Sequence, residues 1–179
     1  MIEDGALALR ARMNAGEVTA RDVMATTLAR IDAVNGTVNA IVSLRDADAL
    51  MAEAAAADAA PNTGWLHGIP LAVKDLASAA GLPTSMGSPL FVGTMARSDD
   101  IAIARLRAAG AIVIGKTNTP EFGLGSHSVN PVFGATRNPY NPGRSAGGSS
   151  GGAGVALATG MVAVADGSDM MGSLRNPAG

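Results

Sequence analysis

Lysine is scarce in this sequence: of 13 basic residues only Lys74 and Lys116 are lysines, and the rest are arginine. A buried amine can lose its proton and act as a base, whereas a guanidinium cannot. Lysines kept against an arginine background therefore mark positions where proton exchange matters. Lys74 ends the apolar run 69–73, which reads as a buried strand. Position alone leaves an ordinary alternative open, an ion pair with the neighbouring Asp75. The nucleophile such a base could serve is a serine. Gly147-Gly-Ser149-Ser-Gly151 fits the G-x-S-x-G hydrolase elbow, but that device needs an acid and then a histidine later in the chain. Both histidines, His67 and His127, precede Ser149, so the order cannot be satisfied within this sequence. The serine loop needs a different proton acceptor, and Lys74 is of the right chemical type.

Other chemistries are excluded more simply. Gly110-Ala-Ile-Val-Ile-Gly115-Lys116-Thr117 matches the phosphate-loop expression, yet its variable residues read as a strand and Asn118-Thr119-Pro120 follow in place of a helix, so a phosphate site is rejected. There is no cysteine, which rules out thiolate nucleophiles and thiolate metal sites. With a net charge of −2 and scattered basic residues, nucleic acid is not expected as a direct partner. The start, Met1-Ile-Glu-Asp4, is acidic, and no run approaches the roughly 18 apolar residues of a membrane span, so a cytoplasmic location is expected.

Several further stretches occur in a telling order. Gly68-Ile-Pro-Leu-Ala-Val-Lys74-Asp75, Gly115-Lys-Thr-Asn-Thr-Pro-Glu-Phe122, Asn130-Pro-Val-Phe-Gly134 and Thr136-Arg-Asn-Pro139 come first. Gly147-Gly-Ser-Ser-Gly-Gly-Ala153 and Gly167-Ser-Asp-Met-Met-Gly-Ser173-Leu-Arg-Asn-Pro-Ala178 follow. Together they resemble the amidase-signature hydrolases, over about residues 5–179. The separations of 75 residues from Lys74 to Ser149 and 24 from Ser149 to Ser173 match that family's lysine, middle serine and nucleophile.

The resemblance implies that Ser173 is the nucleophile, Ser149 the middle serine reached through a cis peptide bond, and Lys74 the terminal base. It implies an enzyme that cleaves a small-molecule carboxylic amide to an acid plus ammonia or amine through an acyl-enzyme. No metal or organic cofactor is needed. A serine hydroxyl is a poor nucleophile at neutral pH, so Ser149 would take its proton while passing its own to neutral Lys74. Backbone N–H groups of Met170, Met171, Gly172 and Ser173 are the expected oxyanion donors. Gly123 falls in the stretch 121–130 that lines the family's substrate pocket, as does His127, which receives no catalytic role. Where the family commonly has Thr-Gly-Gly-Ser, this chain has Met170-Met-Gly-Ser173, and a bulky Met171 bears on the loop's path and the room for substrate. Packing of both methionines into the core is the plainer expectation. Asp169 and Arg175 are read as structural. The glutaminase subunit of a tRNA-dependent amidotransferase resembles this segment too, and an inactive fragment serving as an assembly module is a third reading.

Positioning these residues calls for an α/β fold: N-terminal helices, then part of a mixed central sheet flanked by helices. Residues 3–60 read as helical, with Leu9 and Met13 on one face, Thr19 capping a second helix stopped at Gly36, and a third starting at Ser43. Strands are expected at 69–73, 111–114 and 161–165. A helix at 100–109 is capped by Ser98 or Asp99 and stopped by Gly110. The whole reads as one domain, 1–60 a helical lead-in and 65–179 the catalytic α/β part. Family members are longer, and a sheet lacking their later strands leaves open edges. Those edges call for a partner, either a second copy or a C-terminal half beyond residue 179.

Overall fold

Alternate residues along two adjacent strands feed two different cores, and this alternation sets the layers of the protein. The computed structural model describes residues 5–62 and 64–179; the acidic start, residues 1–4, lies outside them. The elements in order are α1 (Gly5–Asn14), α2 (Ala20–Val38), β1 (Ile41–Leu44), α3 (Ala47–Ala59), β2 (Pro70–Lys74), α4 (Ile101–Ala108), β3 (Ile112–Thr117), β4 (Val129–Asn130), β5 (Gly134–Ala135), α5 (Gly151–Ala158), β6 (Val164–Ala165) and α6 (Arg175–Ala178). The main sheet has the order β1-β3-β2-β6, with β2 parallel to both neighbours and β1 antiparallel to β3. This is the mixed α/β architecture expected. Ala72, Ile112 and Ile114 join one apolar cluster with residues of α2, α3 and α5. Leu71, Val73 and Val113 join another with Ile103 of α4. The two-residue period of a strand sends neighbours to opposite faces, and helices cover both.

Local chemistry explains most boundaries. Thr19 caps α2 in a capping box with Asp22, as expected. The stop at Gly36 is overturned: α2 runs on to Val38 and ends at Asn39, whose φ of 54° is the left-handed conformation asparagine tolerates. The Asn35 side chain then takes the N–H groups of Ala40 and Ile41, binding the helix end to the start of β1. Ser43 does not open α3. It lies in β1, where pairing to β3 outweighs local helix preference, and Asp46 caps α3 by accepting the Ala49 N–H. The cap position of α4 is Asp100, not Ser98 or Asp99; the Asp99 carboxylate is engaged by Ala80 N–H and Arg107. Of the expected strand 161–165 only Val164 and Ala165 pair with β2, while Met161 and Val162 are buried in the core. Among the described residues no helix is long and apolar enough to cross a membrane.

Candidate active site

Lys74 and Lys116 are both fully buried, and a register step between their strands sends them to opposite faces. Leu71 pairs with Val113, but Ala72 pairs with Gly115, so one residue of β3 is skipped and the alternation beyond it is inverted. Lys116 therefore sits beside Val73, where its amine donates to Ala77 O and to Thr84 Oγ1 at 3.3 Å. There it faces Asp75 at 3.8 Å. Asp75 also accepts from Ser85 Oγ at 2.7 Å and from the Ser85 and Gly87 N–H groups. The ion pair envisaged between Lys74 and Asp75 is thus not formed, because Asp75 follows Lys74 along the chain and belongs with Lys116. The phosphate-loop match is likewise a buried strand with its lysine turned into this pair.

Lys74 points the other way, to the start of α5. Its Nζ lies 2.7 Å from Ser149 Oγ, 2.9 Å from Ser150 Oγ, 3.0 Å from Ser168 Oγ and 3.5 Å from Ser168 O. Burial pushes the amine down to about 8, against the pull of the Asp166 and Asp169 carboxylates. Ser150 Oγ gives its proton to Ser168 O at 3.2 Å. Ser149 Oγ has no such acceptor among the described residues, so its proton is the one free to turn toward a neutral amine. The peptide bond between Gly148 and Ser149 is cis. Ser149 is brought to the strand ends by a close approach. A Cβ on Gly152 would collide with the backbone of Asn118 just beyond β3, so only glycine lets the first turn of α5 settle there. Ser128 Oγ completes the junction by accepting the Gly151 N–H at 3.0 Å.

Ser173 and Ser149 line one cavity. This cleft of about 690 Å³ is lined by Ser149, Ser168, Ser173, Gly123 and the segment from Asp169 through Gly172, together with the apolar Leu76, Phe122 and Leu124. Its size suits a small organic ligand. The Ser173 carbonyl accepts the Ser150 N–H at 2.9 Å, tying its turn to α5. Among the described residues Ser173 Oγ is not hydrogen-bonded to Ser149. Gly123 has φ of 71°, and a Cβ there would fall 2.6 Å from Leu76 Cδ1, so glycine keeps this wall open.

The loop before Ser173 is organised by Asp169. Its carboxylate accepts the N–H groups of Gly172 at 2.7 Å, Leu174 at 3.1 Å and Arg175 at 3.0 Å, and it pairs with the Arg175 guanidinium through two contacts of 2.9 Å. Hydrogen bonds from Arg175 hold this carboxyl well below the usual range. Gly172 lines the cleft, but its N–H, one of the expected oxyanion donors, is engaged by Asp169 in this structure. The N–H groups of Met170, Met171 and Ser173 have no acceptor among the described residues. Met170 and Met171 are 83% and 87% exposed, so they do not pack into the core. Ser150 and Ser168 are site residues that local sequence does not single out: nothing around them signals a contact with a lysine 76 or 94 positions away. Among the described residues no group of three His, Asp or Glu side chains could hold a metal ion.

The Amidase family model matches residues 22–179. The chain is 41% identical over 175 residues to a glutamyl-tRNA(Gln) amidotransferase subunit from Chloroflexus aurantiacus, covering 96% of this chain and 36% of that protein. It is 38% identical over 175 residues to an acylamidase of Rhodococcus erythropolis, covering 94% of this chain and 36% of that one. The solved structure of 6-aminohexanoate cyclic dimer hydrolase superposes with a TM-score of 0.90 at 35% identity, over 99% of this chain and 36% of that one. The chain thus spans about a third of the length of these relatives. With the family model matched over most of this chain and the fold shared, the chain belongs to the amidase (amidase-signature) family.

Proposed function

We propose that this chain carries the reacting residues of a serine amide hydrolase, with Ser173 as nucleophile, Ser149 as relay and Lys74 as base. The observation that supports it best is a buried lysine, its amine pushed down to about 8, held 2.7 Å from a serine hydroxyl on the wall of the cleft that Ser173 shares. As Ser173 Oγ bonds to the amide carbon, its proton moves to Ser149 Oγ, whose own proton moves to Lys74 Nζ. Collapse of the tetrahedral adduct breaks the C–N bond, and the proton returns through Ser149 to the leaving nitrogen. Water then attacks the acyl-Ser173 ester by the same relay, releasing the acid. The oxyanion would be held by backbone N–H groups among Met170, Met171 and Ser173, the ones the loop leaves uncommitted.

The substrate is a small carboxylic amide. A second reading, release of ammonia from glutamine within an amidotransferase, is favoured by the 41% identity to a protein of that name. Treatment with a fluorophosphonate followed by intact mass and peptide mapping tests the nucleophile. One adduct on Ser173 is expected, and an adduct on another serine, or none on an otherwise folded chain, overturns the assignment. Turnover of aliphatic and aryl amides but not glutamine selects the first reading; the reverse selects the second.

A further inference from the structure

The two buried lysines differ in what could hold their ammonium forms. Lys116 faces a carboxylate, Asp75, at 3.8 Å. Among the described residues the Lys74 amine meets no carboxylate. Its Nζ meets three hydroxyl oxygens, Ser149 Oγ at 2.7 Å, Ser150 Oγ at 2.9 Å and Ser168 Oγ at 3.0 Å, with Ser168 O further off at 3.5 Å. An ammonium has three N–H groups, and three hydroxyl acceptors stand within hydrogen-bond distance to take them. Ser150 Oγ gives its own proton to Ser168 O at 3.2 Å and accepts the Ser168 N–H at 3.3 Å, so the Ser168 backbone is tied on both sides of its side chain. Ser168 Oγ itself has one partner among the described residues, the Lys74 amine. Ser149 and Ser150 are buried, whereas Ser168 is exposed on the cleft wall.

We propose that Ser168 is a positioning residue for Lys74, accepting the third N–H of the ammonium that forms each time the relay delivers a proton. A buried ammonium with one N–H unpaired costs more than one with all three paired, so the Ser168 hydroxyl favours the protonated amine. Burial pulls the opposite way and brings the amine to about 8. With the amine neutral, its two remaining N–H groups go to Ser150 and Ser168, and its lone pair is left facing Ser149. The three oxygens therefore serve both protonation states, and between them only the Ser149 hydroxyl has to turn.

This role rests on the relay proposed above, but its test does not. With only two lysines in this sequence, ¹³C-lysine labelling of the full chain gives two Cε signals, and Lys74→Met identifies one. Ser168→Ala opens no core cavity, because the residue is exposed, and removes one of the three hydroxyl acceptors. The Lys74 midpoint is expected to fall by about one pH unit while that of Lys116 stays in place. The acid limb of kcat/KM for amide hydrolysis should move down with it. Ser168→Thr, which keeps the hydroxyl on the same carbon, should restore both. If Ser168→Ala does not fold, Ser168→Gly carries the same test. An unmoved Lys74 midpoint overturns the proposal whatever the activity, and so does a fall that Ser168→Thr shares. A fall that Ser168→Thr restores, in a chain that hydrolyses no amide, supports the proposal and removes the hydrolase reading instead.

Discussion

Replacing Lys74 by Met should remove a pH-dependent part of the protein's stability, and its size follows from the burial of the amine. In the unfolded chain this lysine titrates at its ordinary 10.5; in the fold burial brings it to about 8. Between those values the unfolded state holds a proton that the folded state lacks, so unfolding free energy rises with pH, and below pH 8 the cost of burying the ammonium is fully present. The interval is roughly 2.5 pH units at about 1.4 kcal/mol each, or about 3.5 kcal/mol in all, of which about 3 kcal/mol falls between pH 7 and 10.5. Lys116 is shifted in the same direction and adds its own rise, but it does so in both proteins and cancels in the difference. Losing a donor to Ser149, Ser150 and Ser168 costs the variant a constant amount that does not change with pH. Urea unfolding followed by helix circular dichroism from pH 7 to 10.5 should therefore show the unmodified chain gaining about 3 kcal/mol on Lys74→Met. Parallel curves would mean that the folded amine titrates like a free lysine, and the proton-relay chemistry would lose its physical basis.

Other outcomes follow from the same geometry. Gly152→Ala places a methyl group against the Asn118 backbone and should cost about 1–3 kcal/mol in thermal or urea unfolding while displacing Ser149. Asp169→Asn releases Arg175 and weakens three N–H contacts, so limited proteolysis should cut more rapidly between residues 169 and 175. Met171→Gly opens the cleft, and kcat/KM for bulky aryl amides should rise relative to small aliphatic ones. Thr19→Ala dismantles the capping box of α2 and should lower stability by about 1 kcal/mol, measured by urea unfolding.

Much of this protein is legible in local sequence. The apolar runs of β2 and β3, the Thr19 cap and the end of α4 before Gly110 depend on neighbours in the chain and are found where expected, except that β3 runs on to Thr117, past the expected end at 114. The scarcity of lysine singles out both buried amines, because a buried ammonium is too costly to keep without a reason. Local reading fails where a distant partner decides. Ser43 joins β1 because the edge of β3 is there to receive it, and α2 passes Gly36 because Asn35 binds the start of β1. The same holds at the cleft. One skipped residue in the pairing of β2 with β3 gives Asp75 to Lys116 and leaves Lys74 to the serines, a choice no strand makes alone. Ser150, Ser168 and Asp166 reach Lys74 only after α5 and β6 have closed on β2, and Asp169 claims the Gly172 N–H only once its loop has turned. The sequence by itself determined which chemical groups are present and which segments are buried. The tertiary structure alone decided which of those groups meet, because side-chain direction changes with every residue of strand register and contacts across 75 or more positions exist only in the assembled fold.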